Sequence, residues 1–169
     1  MLLNADEFVK ILRQLRSDAG RMTERRKAPR VSIPGLAEIV PLELSDGRPS
    51  RLRVRLRDFS QGGIGFLWQR RVPKDWRFVL ILPPGEVHEM TGMLCQVVRC
   101  ATISKGLYQV GCRFVMQLAS VVTEQVASCN PNTIAELALD AQPDDAHKLD
   151  PSVVERVIGT ARDRVAKSA

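Results

Sequence analysis

The spacing of apolar residues changes twice along the chain. Near the start, Leu3, Phe8, Val9, Ile11, Leu12 and Leu15 recur close to the helical period. This predicts an amphipathic helix over residues 2–19, capped by Asn4 or Asp6 and ended by Gly20. Such a helix buries nothing alone, so its apolar face must dock on its own chain or on a second copy. From Arg30 to about Met116 the pattern shortens to strands separated by turn signals. Residues 31–41 ("VSIPGLAEIVP") form the first, with a break at Pro34-Gly35. Residues 51–57 ("RLRVRLR") alternate strictly, with Leu52, Val54 and Leu56 on one face and Arg51, Arg53, Arg55 and Arg57 on the other. Residues 63–68, 77–82, 90–101 and 107–115 complete the set. After Ala119 the helical period returns. One segment covers 119–128, and Asn130-Pro131 reads as a cap with proline at the first helical position. Asp150-Pro151 repeats that arrangement before Val153, Val154, Val157 and Ile158.

Six strands at this spacing suggest a small antiparallel barrel, which leaves no exposed sheet edge. The expected fold is mainly β, a six-stranded antiparallel β-barrel with added N-terminal and C-terminal α-helices. The expected division is an N-terminal helix over 1–23, the barrel over 24–118 and a helical extension over 119–169.

Charge narrows the partner. The 169 residues carry a net charge of +6. Residues 119–169 hold five Lys/Arg against eight Asp/Glu, a net −3, which leaves +9 on the first 118. A basic front half favours an anion: nucleic acid, a nucleotide or a lipid headgroup. No apolar run is long enough to span a membrane, and the first residues lack the pattern of a signal peptide. The four cysteines form no CxxC pair, and Cys95, Cys100 and Cys112 lie in strand-like runs that suit small core residues. A cytoplasmic protein is expected. His88 and His147 belong to no metal-ligand spacing and no triad, so neither catalytic nor metal-binding residues are expected.

Two stretches carry candidate chemistry. "MTERRKAPRVSI" places Arg26 and Arg30 four residues apart, just ahead of the first strand. Pro29 disfavours a helix there. In an extended chain the two guanidinium groups stand on one side, roughly 13 Å apart. "RDFSQGGIGF" follows the arginine-rich strand and sets Asp58 and Ser60 two residues apart, in what reads as a turn. A carboxylate and a hydroxyl so placed can meet the donors of one flat ligand edge. The Gly62-Gly63 pair would give that turn its unusual dihedrals and let a ligand approach the backbone. A plain turn joining two strands accounts for the same residues.

Taken in order, RxxxR at Arg26–Arg30, DxSxxG at Asp58–Gly63 and the closing strand "YQVGCRFV" resemble the PilZ domain, a bacterial receptor for cyclic di-GMP. The resemblance covers roughly residues 24–118. RxxxR also occurs at Arg21–Arg25, Arg51–Arg55 and Arg53–Arg57, whereas DxSxxG occurs once. The resemblance implies that Arg26 and Arg30 bracket the dinucleotide, bonding phosphate or the O6/N7 edge of guanine. It implies that Asp58 and Ser60 bond a guanine's polar edge, that Gly63 keeps the turn open, and that Arg25 and Arg57 are candidates for support. The basic arm would then close on the ligand and signal to an unidentified effector protein, with no cofactor required. The terminal helices are candidates for homo-oligomer contacts.

Other readings stay open. The arginine stripe from Arg51 to Arg57 suits a solvated face paired with the acidic C-terminal helices, ligand support, or a protein or nucleic-acid surface. Against nucleic acid, no aromatics interleave it and aromatic content is only 5%. Trp68 and Trp76 suit packing better than base stacking. A ligand-free PilZ-like interaction or oligomerisation module is the main alternative, and a nucleic-acid-binding barrel the lesser one.

Overall fold

Alternation of apolar and polar side chains produces six strands between Arg30 and Leu118. The structure is a computed structural model that describes residues 2–19, 30–43, 48–86 and 89–140. Strands β1 (Arg30–Pro41), β2 (Leu52–Ser60), β3 (Gly63–Trp68), β4 (Arg77–Leu82), β5 (Thr91–Ser104) and β6 (Leu107–Leu118) are joined by helices α1 (Ala5–Ala19), α2 (Ser120–Ala127) and α3 (Pro131–Asp140). The strands close into an antiparallel barrel in the order β1-β2-β3-β6-β5-β4, with β4 pairing back onto β1. This is the barrel expected from the sequence.

β3 and β4 span the residues expected of them. β5 and β6 run further, because Gly106, at φ 74°, makes a turn tight enough to carry the ladder out to Ser104 opposite Leu107. β1 is one strand whose register shifts between Ser32 and Gly35, at the expected break. β2 departs most. It continues through Asp58, Phe59 and Ser60, so the carboxylate and hydroxyl lie within a strand and not in the turn beyond it.

The barrel is filled by inward side chains, among them Phe59, Phe66, Phe78, Leu80, Met93 and Val110. Trp76 is buried and Trp68 packs beside it at 5.5 Å between ring centroids, so both tryptophans serve packing. α1 docks on its own barrel. Asn4 is its cap: Glu7 N–H donates to Asn4 Oδ1 (2.9 Å) and Asn4 N–H donates to Glu7 Oε2 (3.1 Å). That reciprocal pair satisfies two donors the first turn leaves over. Leu3, Phe8, Val9 and Leu15 are buried, and Phe8 meets Phe59 and Phe114 edge-on at 5.0 and 5.9 Å.

A second apolar layer lies outside the barrel. Val40, Val79, Ile81 and Leu94 cover their outer face with Val126 and Ile134 of α2 and α3. Asn130 caps α3 by accepting from Asn132 N–H at 3.0 Å, with Pro131 at the first position. Arg51 donates to Ala127 O at 3.5 Å and Arg77 to Ala138 O at 2.8 Å. Guanidinium groups thus reach the carbonyl-rich C-terminal ends of both helices, where a cation is favoured. Arg51 and Arg53 also converge on the buried Glu38 of β1. The expected helix after Asp150 lies outside the described residues. No described helix is long and apolar enough to cross a membrane.

The three-ring cluster makes a direct test of α1. Phe8→Ala removes the ring that joins α1 to Phe59 and Phe114. A buried Phe→Ala change costs about 3–5 kcal/mol. Urea unfolding should show a loss of that order, and an unchanged midpoint would mean that α1 adds nothing to the barrel.

Candidate functional site

Strand parity decides which side chains can reach a ligand. Along β2, Leu52, Val54 and Leu56 point inward and the arginines outward. Continued strictly, that alternation would turn Asp58 into the core. A register shift between Leu56 and Asp58 prevents it. The extra residue, Arg57, leaves Arg57 and Asp58 both on the outer side and returns Phe59 to the fully buried core. Bulges re-aim side chains in this way. β5 repeats the device. Its register shifts between Val97 and Arg99, so buried Val97 is followed by two exposed residues, Val98 and Arg99.

The two bulges lie on one cross-strand row. Pairing runs from Ser32 to Asp58, to Gly65, to Gly111 and on to Arg99, across β1, β2, β3, β6 and β5. A cavity of about 220 Å³ opens over this row. Arg30, Asp58, Ser60 and Gly63 line one part of it, and Arg99 and Gln109 another. Arg30 enters because it pairs with Ser60 at the start of β1.

Asp58 is held loosely. Its Oδ1 lies 4.0 Å from Arg30 Nη1 and its Oδ2 3.9 Å from Arg57 Nε, with the carboxylate side chain 21% exposed. Both contacts are longer than a charge-assisted hydrogen bond, so the oxygens keep room for donors from a ligand. Ser60 Oγ donates to Gly63 O at 3.2 Å, and Phe114 N–H donates to Gly62 O at 2.9 Å. These bonds fix the two-residue turn between β2 and β3 and leave the Ser60 oxygen able to accept.

Gly63 and Gly65 act through space, not through unusual dihedrals. Among the described residues Gly106, Asp75 and Cys129 have positive φ, and neither Gly62 nor Gly63 does. A Cβ on Gly63 would stand 1.9 Å from the Cys112 carbonyl oxygen, so the close approach of β3 to β6 excludes a side chain there. A Cβ on Gly65 would stand 2.7 Å from Asp58 Oδ1. The carboxylate therefore lies across Gly65. Cys112 lines the same cavity from its buried position, and burial, reinforced by neighbouring Cys100, pushes its thiol well up. It stays a neutral wall and not a nucleophile.

Of the residues singled out by sequence, Arg30, Asp58, Ser60 and Gly63 come together in one cavity, and Arg57 stands beside Asp58. Arg25 and Arg26 lie outside the described residues, as do both histidines. Sequence reasoning missed Gly65, Gly111, Arg99 and Gln109. Consecutive outward residues did leave a trace, in Arg57-Asp58 and in Val98-Arg99, where strict alternation fails.

The PilZ domain profile matches residues 24–129, more than half of the chain, and the chain belongs to the PilZ family. Among solved structures it is similar to the PilZ domain of YcgR from Escherichia coli with c-di-GMP, at 23% identity and a TM-score of 0.40, covering 70% of this chain and 100% of that one. It is also similar to the longer YcgR chain from Escherichia coli in complex with c-di-GMP, at 24% identity and 0.40, covering 70% and 50%. A third is the K. pneumonia MrkH-c-di-GMP complex, at 17% and 0.40, covering 70% and 57%. The chain thus spans about half the length of those two longer chains. No curated protein sequence matches it significantly.

The two glycines of β3 should respond differently to a single methyl. Gly63→Ala drives Cβ into a backbone carbonyl that only strand separation can relieve, whereas Gly65→Ala meets the end of a side chain that can swing aside. Overpacking a tight site costs about 1–3 kcal/mol. Gly63→Ala should lose stability of at least that order in urea unfolding, and Gly65→Ala should remain within about 1 kcal/mol of wild type. Equal losses would show that Asp58 is fixed where it stands.

Proposed function

We propose that this protein is a receptor for cyclic di-GMP that binds the dinucleotide over the outer face of β2, β3 and β6. The observation that carries the reading is the convergence of Arg30, Asp58 and Ser60 on one cavity in a member of the PilZ family. Guanine presents adjacent N–H donors at N1 and N2. A carboxylate accepts from both, and the Ser60 oxygen lies two residues further along the same strand face. Arg30, beside Asp58, is placed to grip a phosphate with two parallel N–H bonds. Arg26, four residues earlier in the chain, supplies a second guanidinium, with Arg25 and Arg57 in support.

Binding, not turnover, is the activity. A ligand held by both the arm and the barrel favours the arrangement in which they meet. The equilibrium then shifts towards that arrangement in proportion to its preference. The surface so changed is read by an effector protein, in the cytoplasm where the dinucleotide is found.

Isothermal calorimetry with purified full-length protein tests this. Wild type should bind cyclic di-GMP with little competition from GTP. Arg30→Ala and Asp58→Ala should each weaken binding by about 2 kcal/mol or more, roughly thirtyfold, because each removes charge-assisted bonds. Equal affinity of wild type and both variants would refute the site. Absence of binding by wild type would leave the PilZ barrel as an interaction module.

A further inference from the structure

We propose that Arg99 is a specificity-determining residue of this site, reading the O6/N7 edge of the guanine whose N1/N2 edge faces Asp58. The inference rests on the cyclic di-GMP reading above and adds to it a residue outside both sequence motifs. Its basis is the cross-strand row. Asp58 and Arg99 stand at opposite ends of a stretch whose two intervening positions are Gly65 and Gly111. No side chain rises between them. The Asp58 carboxylate already lies across Gly65, so the open floor is the backbone at Gly111. A Cβ added there would stand 4.0 Å from Arg99 Cβ, which places the arginine stem along the far side.

The gap has the dimensions of a base. Two strand spacings separate the Gly65 position from the Arg99 backbone, about 10 Å. A planar purine fits on that floor when the Arg99 side chain rises from its strand, so that the carboxylate and the guanidinium each reach it through a hydrogen bond of ~2.9 Å. The walls differ in chemistry. An ionised carboxylate only accepts, and a guanidinium only donates. Guanine matches both, with donors at N1 and N2 and acceptors at O6 and N7. Adenine matches neither fully, since it carries an acceptor at N1 and a donor at N6. A donor wall facing an acceptor wall therefore selects guanine more strongly than either wall alone.

Arg99 is also available. It is exposed in the cavity, and among the described residues it makes no ion pair, unlike Arg51 and Arg53, which converge on Glu38. Its direction depends on the β5 bulge. Without the extra residue at Val98, the inward sequence Met93, Cys95, Val97 would continue to Arg99 and bury it.

Calorimetry on full-length wild type, Arg99→Ala and Arg99→Lys tests the inference, using cyclic di-GMP, cyclic di-AMP and a cyclic di-GMP analogue with 7-deazaguanine bases. Arg99→Ala should weaken cyclic di-GMP at least tenfold and leave thermal stability unchanged, because the side chain is exposed. The loss should be much smaller for the 7-deaza analogue, which already lacks the N7 acceptor. The preference over cyclic di-AMP should narrow, and Arg99→Lys, which keeps the charge but not the fork, should not restore it. If Arg99→Ala binds within twofold of wild type while Arg30→Ala and Asp58→Ala fail, the site stands and this role is overturned. The same loss for all three dinucleotides would make Arg99 a plain phosphate contact and overturn the base readout. Failure of wild type to bind cyclic di-GMP would remove the receptor reading and this inference together.

Discussion

A strand offers each residue one of two faces, and in a closed barrel one of those faces is a packed apolar interior. That constraint governs everything this molecule presents to a ligand. β2 begins with its leucines and valine inward and would carry Asp58 inward at the next even step. A lone carboxylate among Phe59, Phe66 and Phe114 would lose its hydration with no counter-ion to offset the loss. The bulge at Arg57 resolves the conflict by shifting parity once. The same residue insertion that delivers Asp58 and Ser60 to the outside delivers Phe59 to the centre of the core. Site and core therefore depend on one backbone irregularity.

That sharing extends to α1. Phe59 sits between Asp58 and Ser60 in the chain, and its ring meets Phe8 of α1 and Phe114 of β6. Phe114 N–H in turn holds the carbonyl of Gly62 in the turn that follows Ser60. The two polar groups on the outer face are thus fastened, through one aromatic cluster and one backbone bond, to the docked helix within. Close packing transmits small displacements because it has no slack to absorb them. The end of β2 and α1 are thus joined through contacts already in place.

The sequence was legible wherever a periodic signal stood alone. The six strands, the helices before and directly after the barrel and the Asn130 cap all followed from spacing and turn residues. Asp58, Ser60 and Arg30 were singled out because their order resembled a family pattern. What escaped was of another kind. Gly65 and Gly111 matter because they are neighbours across a ladder, and register is a property of pairing that no single strand displays. Arg99 is drawn into the site by a bulge on another strand, β5, far beyond the motif in the chain. The dihedral reading of Gly63 failed for a related reason: its constraint is the Cys112 carbonyl on β6, a contact made only once the barrel closes.

The arginine stripe shows how far this logic reaches. Four guanidinium groups stand at alternate positions, Arg57 alone among them singled out for ligand support, and the bulge and the helices divide them. Arg51 and Arg53 are occupied: they share Glu38 across the β1 ladder, and Arg51 also holds the carbonyl end of α2. Glu38 offsets one of their two charges where they stand, and Arg51 ties α2 to the barrel. Arg57, at the bulge, instead leans towards Asp58 at 3.9 Å, a distance too long to satisfy either partner. The stripe is therefore structural at one end and poised at the other. Arg30 and Arg57 meet Asp58 only at 4.0 and 3.9 Å, at the end of the strand where parity has already turned the carboxylate outward.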